Sequence, residues 1–395
     1  MTQKAVLAFS GGLDTSVVVK YLQKHHNMDV VTVTVDVGQG DDHESIEAKA
    51  KSLGVVSHHS IDAKDEFARD YIAPSIKANA LYQKKYCLAT ALARPLIAAK
   101  VLEVARMESA AALAHGCSGK GNDQVRFDNT FSSGSDLQII APIRALNLDR
   151  PAELEFAREN GIKIDHVAKR FSIDENLWGR ALEGGVLEDP MTEPPDDAFI
   201  WVKTADLSDE PSYMEIEFEG GVPVSIDGSR LPLVDLIEYA NRKAGEAGVG
   251  IVDHIEDRTV GIKSREVYET PAALCLIEAH SDLEKMVHTT HQTRLKSILD
   301  DEWSRLAYSG LWEDPLRRDI DAFIGSSQGV VSGTVRIKMF KGAMRVVGRS
   351  SVHSIYNQET ATYGVDSTFD QRLAPGFVKL WGLQSTEANK LQEKR

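Results

Sequence analysis

Two hydrophobic periodicities alternate along the first 140 residues, and this alternation restricts the fold more than any other feature of the chain. "KAVLAF" (residues 4–9) is a short apolar run without a helical period and reads as a strand. Thr15 to Lys24 reads as a helix, with Val17, Val18, Tyr21 and Leu22 on one side. "DVVTVTVDVG" is rich in β-branched residues and is a second strand. "HESIEAKAKSLG" is a helix closed by Gly54, and "VVSHHSID" a third strand. "ATALARPLIAAKVLEVARMESA" is a long helical run in which Pro95 predicts a kink or a break. "AAALAHG" and "LQIIAPI" add two strands. Strands alternating with helices imply an α/β fold with a doubly wound parallel sheet covered on both faces. Ligands of such sheets bind beyond the carboxyl ends of the strands. "SGGLDTS" and "GCSGKGNDQ" each follow a strand and belong at that rim.

The texture changes near residue 170. "MEIEFEGGVPVSIDG" alternates around Gly220-Gly221 as a hairpin does. "LVDLIEYANRKAGEAG" is an amphipathic helix, and "VSGTVRIKMFKGAMRVVGRSS" a hairpin turning at Lys341-Gly342. The expected organisation is a nucleotide-binding domain over 1–168, a second α+β domain over 169–365, and a C-terminal helix or tail over 366–395. A chain of 395 residues exceeds one ordinary domain.

A net charge of −14 disfavours a broad nucleic-acid surface but permits a local pocket for small anions. Cys87, Cys117 and Cys275 form no CxxC pair, so neither a zinc site nor a disulfide framework is expected. No apolar stretch approaches the roughly 20 residues of a membrane span, and no leader precedes the first strand. The expected setting is cytoplasmic, with small-molecule substrates and neither nucleic acid nor membrane as partner.

In "AFSGGLDTS" the adjacent glycines Gly11 and Gly12 let main-chain N–H groups face an anion, and the following helix adds its positive end. Ser10, Thr15 and Ser16 add hydroxyl donors. The loop is neither GxxxxGK[ST] nor GxGxxG. It resembles the pyrophosphate loop of the N-type ATP pyrophosphatases, which hold a whole pyrophosphate. Asp14 then has two candidate roles, capping the helix start and holding the Mg²⁺ that accompanies pyrophosphate.

"AHGCSGKGNDQVRF" (114–127) is the second candidate loop. Gly116, Gly119 and Gly121 keep side chains clear of it, and Ser118 and Lys120 can reach an anion. Asn122 and Asp123 can cap a new helix, and Arg126, four residues after Asn122, shares its face and suits a carboxylate.

Together with Tyr86-x-Leu-x-Thr-x-Leu-Ala-Arg-Pro95, "S-x-DENL" (172–177) and "GIKSREVYETPAA" (261–273), these stretches occur in the order found in argininosuccinate synthases, and the chain resembles that family to about residue 380. The resemblance implies a ligase in which citrulline's ureido oxygen attacks the α phosphate of ATP and the amine of aspartate then displaces AMP. It implies that Ala8, Phe9, Ser10, Gly11, Gly12, Leu13, Asp14, Thr15, Ser16, Val35 and Gly116 bind ATP. Ser118, Asn122 and Asp123 would bind aspartate. Tyr86, Ala91, Asn122, Arg126, Ser172, Ala181, Glu256 and Tyr268 would line the citrulline site, Arg126 facing the carboxylate and Glu256 the ammonium. No general base is evident, and Asp14, Ser118 and Asn122 act by positioning. A homotetramer with the C-terminal helix reaching a neighbour is implied as well.

Several of these residues also have a plainer reading. Tyr86 and Tyr268 suit packing, and Glu256 beside Asp257 suits a solvated acidic pair. Ser172, with Glu175 at capping-box spacing, also fits the start of a helix over "DENLWGR". Ala91 and Ala181 stand where relatives carry serine, Val35 where a small residue is usual, and Ser118 where threonine is. Two absent hydroxyls cost about 0.5–1.5 kcal/mol each if both bonded citrulline. That departure leaves open a shifted ureido or carboxamide substrate. A non-catalytic nucleotide-binding regulator is the alternative from another class.

Overall fold

The computed structural model describes residues 2–163 and 170–393. The domain boundary expected at 168/169 lies outside the described residues. The chain divides into two compact units, 1–353 and 354–395.

In the first unit, β1 (Lys4–Ala8), β2 (Asp29–Asp36), β3 (Ser57–Asp62), β4 (Ala112–Ala114) and β5 (Gln138–Ile140) form a five-stranded sheet in the order β3-β2-β1-β4-β5. All its pairings are parallel, so the α/β expectation holds. Alternation along β1 explains the two layers: Ala5 and Leu7 pack into one core, Val6 and Ala8 into the other. One core holds the helices α1 (Leu13–His25) and α2 (His43–Ser52), and the other holds α3 (Ala89–Met107). The break expected at Pro95 does not occur: α3 runs through it. Pro95 only withdraws the N–H that the Ala91 carbonyl would have accepted, and burial of the helix on the sheet outweighs that loss. The chain builds β1, β2 and β3 outward and then returns to β4, so strand order reverses between β1 and β4. The loops after these two neighbours carry the two motifs, and they open α1 and α4 (Asp123–Gly134). The helix α5 (Arg150–Glu159) packs on α1.

A four-stranded antiparallel sheet follows, made of β6 (Ser172–Asn176), β7 (Gly179–Glu183), β11 (Ile251–Asp257) and β12 (Lys263–Glu269) in the order β11-β12-β7-β6. The helix reading of "DENLWGR" is thereby corrected: Ser172 begins a strand paired with β7 and caps nothing. A third sheet contains β8 (Ser212–Glu219), β9 (Val222–Ile226), β10 (Ser229–Arg230), β13 (Gly333–Phe340) and β14 (Ala343–Ser350). The two hairpins read from sequence are β8-β9 and β13-β14. Lys341 and Gly342 both have positive φ, 46° and 82°, as a tight hairpin turn requires. The amphipathic helix is α6 (Leu233–Glu246), followed by α7 (Pro271–Val287), α8 (Thr290–Tyr308) and α9 (Pro315–Ser327).

The second unit contains α10 (Ala374–Trp381) and α11 (Leu383–Gln392), on which Phe377, Leu380, Trp381 and Leu383 are exposed. Among the described residues, no helix is long and apolar enough to cross a membrane.

Candidate active site

The first loop leaves β1 through Phe9, whose N–H donates to the Val33 carbonyl at 2.8 Å. Gly11 has φ +73°, a conformation open to glycine at little cost. The Gly12 carbonyl accepts from Ser16 N (3.1 Å), Ser16 Oγ (2.7 Å) and Thr15 Oγ1 (3.3 Å), while Gly12 N donates to Ser10 Oγ at 3.3 Å. Asp14 does not cap α1, a correction to the sequence reading. Gly12 holds the N-cap position and no side chain caps the helix. The Asp14 carboxylate lies in the first turn and pairs with Arg150 Nη1 of α5 at 3.1 Å. Glu153 Oε2 lies 3.5 Å from the same nitrogen and, among the described residues, is buried without a hydrogen-bond partner. Burial, then the neighbouring Asp14 carboxylate, pushes the Glu153 carboxyl up to about 8. Ala8, Phe9, Ser16 and Val35 are buried beneath the loop, whereas Ser10 and Gly12 are exposed.

The second loop touches the first. A Cβ on Gly116 would come within 3.2 Å of Thr15 Cγ2 and 3.3 Å of Thr15 N, so this close approach needs glycine. His115, 1% exposed, accepts from Cys117 N through Nδ1 at 3.1 Å. Its Nε2 therefore carries the proton and donates to Asp128 Oδ1 at 2.9 Å. Arg144 bridges Asp128 Oδ2 (2.7 Å) and Gln124 Oε1 (3.0 Å), and Gln124 Nε2 donates to the Gly119 carbonyl at 2.5 Å. Ser118 and Lys120 are left exposed at the loop tip. Asn122 occupies the N-cap position of α4, but its side chain does not cap the helix as expected. Its Oδ1 accepts from Thr259 N and its Nδ2 donates to Tyr308 Oη, each at 2.9 Å. Both motif helices thus start without a side-chain cap, which leaves helix N–H groups at the rim for an anion.

One face of the antiparallel sheet completes the site. Residues directly opposite in register share a face, so Tyr268, Ala181 and Asp174 form one row across β12, β7 and β6. His254 and Glu266 begin the next row, where Glu183 and Ser172 are also paired, and Glu256 and Ser264 follow. Of the residues read from sequence, Ser172, Ala181, Glu256 and Tyr268 therefore lie on one face of a single sheet. Asp174 accepts from Arg94 Nη2 (2.8 Å) and Thr90 Oγ1 (2.6 Å) of α3. Arg94 Nε also donates to Asp123 Oδ2, and Arg126 Nη1 to Asp123 Oδ1, both at 2.8 Å. Burial opposes the Asp123 charge, but these two guanidiniums outweigh it and lower its carboxyl.

Arg126 is 3% exposed and donates through Nε and Nη2 to the Tyr308 carbonyl, at 3.2 and 2.9 Å. That carbonyl lies at the C-terminus of α8, the negative end of its dipole. The Tyr308 hydroxyl donates to Glu256 Oε1 at 2.5 Å, and the Tyr268 hydroxyl to Oε2 at 2.7 Å. Burial would raise the Glu256 carboxyl, yet the nearby His254 and the hydroxyls of Tyr308 and Tyr268 hold it below its ordinary value. It is 3% exposed and no solvated acidic pair with Asp257. Tyr86 stacks on Tyr268 with ring centroids 4.3 Å apart, and Tyr82 on Tyr308 at 3.5 Å. Tyr86 Oη accepts from Thr90 N at 2.9 Å. Ala91 is fully buried inside α3.

One continuous chain of contacts thus runs Asp174–Arg94–Asp123–Arg126–Tyr308–Glu256–Tyr268–Tyr86, and it passes through Asp123 at the start of α4, where the second loop ends. Its alternating charges and hydroxyls suit a zwitterionic amino acid next to a polyphosphate. By contrast, a hollow of about 410 Å³ lined by Lys20, Asn27, Asp29 and Leu53 opens at the amino ends of β1 and β2, the opposite rim. Tyr308, Tyr82, Arg94, Thr90 and Asp174 had no role in the sequence reading. The last three fall inside quoted motifs, and that was the available signal. Nothing local distinguishes Tyr308, whose hydrogen-bond partners lie 52 to 186 residues away.

Residues 4–163 match the family model described as the arginosuccinate synthase N-terminal HUP domain, and residues 171–388 the arginosuccinate synthase C-terminal domain. The chain belongs to the argininosuccinate synthase family. Relatives named argininosuccinate synthase bear this out across nearly the whole length. That of Pyrococcus furiosus is 52% identical, covering 98% of this chain and 94% of its own. That of Methanothermobacter thermautotrophicus is 53% identical, covering 97% and 96%. That of Hyperthermus butylicus is 52% identical, covering 98% of both. The family resemblance read from the motifs holds, and the family's members are ligases. A solved chain described as a predicted subunit of tRNA methyltransferase from Methanocaldococcus jannaschii overlaps 44% of this chain and 78% of its own. Its identity is 17% and its TM-score 0.28, too slight a likeness to say anything of the fold.

Proposed function

We propose that the chain joins citrulline to aspartate through a citrullyl-adenylate, releasing pyrophosphate and then AMP. The observation that carries this reading is the contact chain from Asp123 to Tyr268, which starts where the second loop enters α4 and crosses to the sheet face. In the first step the ureido oxygen attacks the α phosphorus, and the bond from phosphorus to the bridging β oxygen breaks. The pyrophosphate leaves onto the open N–H groups of the loop and of the first turn of α1, with Gly116 keeping the second loop close. Val35 lines the nucleotide side. In the second step the aspartate amine attacks the ureido carbon, and AMP departs with the former ureido oxygen.

Within this reading Glu256, held charged by two tyrosine hydroxyls, receives the citrulline ammonium. Arg126 and Asn122 receive its carboxylate, Tyr86, Tyr268, Ala91 and Ala181 line its chain, and Ser172 closes the edge. Ser118, Asn122 and Asp123 receive aspartate. No residue is asked to act as general base; rate comes from positioning and charge. Asp14 is an oxygen donor beside the loop that fits a hard cation once Arg150 swings away from it. It would help hold the Mg²⁺ of Mg·ATP, whose charge would ease the departure of pyrophosphate. The exposed apolar residues of α10 and α11 support a homotetramer in which this segment meets a neighbouring copy.

Pyrophosphate release from Mg·ATP, with citrulline and aspartate omitted in turn, tests the reading. Release that needs citrulline, with argininosuccinate formed only when aspartate is added, is expected. Retained ATP binding without citrulline-dependent release contradicts it and favours a shifted ureido substrate. The missing hydroxyl of Ala181 on the sheet face would be the first place to look.

A further inference from the structure

His254 stands two residues before Glu256 on β11, so both side chains project from the face that carries Tyr268. Its side chain keeps only 9% of its exposure, and Nε2 lies 3.6 Å from Glu256 Oε2. That is beyond hydrogen-bonding range, and among the described residues this buried nitrogen has no hydrogen-bond partner. Buried polar atoms are normally satisfied, and an orphan beside a carboxylate costs stability. A neutral imidazole with its proton on Nδ1 presents a lone pair at Nε2, which makes two acceptors 3.6 Å apart with no donor between them. An ammonium group carries three donors and can bond both at once.

We propose that His254 is a substrate-binding residue: its neutral Nε2 and the Glu256 carboxylate together receive the α-ammonium of the amino acid in the citrulline subsite. The inference rests on the reading of Glu256 given above and adds a second acceptor to it.

The test is the KM for citrulline and kcat at saturating Mg·ATP and aspartate, with the KM for aspartate as internal control. His254→Gln supplies an acceptor oxygen, so it should stay within about threefold of the native citrulline KM. His254→Leu should raise the citrulline KM about tenfold, with little change in kcat or in the aspartate KM. A native citrulline KM in His254→Leu, with folding verified by an unchanged melting transition, overturns the proposal. If His254→Leu does not fold, a native citrulline KM in His254→Met overturns it instead. Glu256→Gln separates the two readings. If it leaves the citrulline KM unaltered, the ammonium subsite itself is misplaced. If it raises that KM while both His254 variants behave as native, only the role of His254 falls.

Discussion

At the rim of the parallel sheet the groups left open are main chain. Gly11 at φ +73°, Gly116 against Thr15 and two uncapped helix starts present N–H groups that any folded copy of the motif would present. On the face of β6-β7-β11-β12 they are side chains, and each is set by a partner far along the chain. Glu256 is held by Tyr308 and Tyr268, and Asp174 by Arg94 and Thr90. A backbone-built site fails when the backbone is displaced. A side-chain-built site loses one substrate at a time.

Breaking the first region should therefore cost most. Gly116→Val drives a branched side chain into the Thr15 main chain, and kcat/KM for ATP should drop about 100-fold or more with folding retained. Dependence on citrulline and aspartate would fall together. A loss confined to one amino acid would break the comparison.

Tyr308→Phe probes the second region. It removes the 2.5 Å donor to Glu256 and the acceptor for Asn122 while keeping the ring on Tyr82. The citrulline KM should rise about 10- to 100-fold, as expected for losing a hydrogen bond to a charged group, with the ATP KM within about twofold. An equal rise in both would mean that the two regions are not separable.

Glu266 tests the charge environment of the same face. Burial, then repulsion from Glu183, pushes its carboxyl up to about 7 against an ordinary 4.5, despite Arg258. Between those values the folded state binds more protons than the unfolded state, so this group's contribution to stability declines as pH rises through that window. Glu266→Gln mimics the protonated form. Its stability relative to native should improve from pH 4.5 to pH 7 and level off above, as read from urea midpoints. A difference independent of pH would contradict the cause assigned.

Ala181→Ser should have the smallest effect. It restores a hydroxyl beside Tyr268 and should lower the citrulline KM no more than a few-fold. No change would place that position outside the substrate's reach.

The same contrast explains what could be read in advance. The parallel sheet, both motif loops and both hairpins follow from local periodicity and glycine placement, which act over a few residues. The failures were also local rules overruled at a distance. Ser172 and Glu175 have capping-box spacing, but pairing with β7 draws them into a strand. Asn122 and Asp14 sit where caps belong, yet Tyr308 and Thr259 engage one and Arg150 the other. Pro95 breaks isolated helices, but α3 is buried along the sheet and continues. Tyr308 was invisible because its significance lies wholly in tertiary partners.

The central claim is that the two regions act in one reaction, with the ureido oxygen attacking the phosphorus held at the loops. Citrulline labelled with ¹⁸O in the ureido group tests it most directly. Turnover with Mg·ATP and aspartate should place the label in AMP, one atom per argininosuccinate formed. Unlabelled AMP beside unlabelled pyrophosphate would contradict the account.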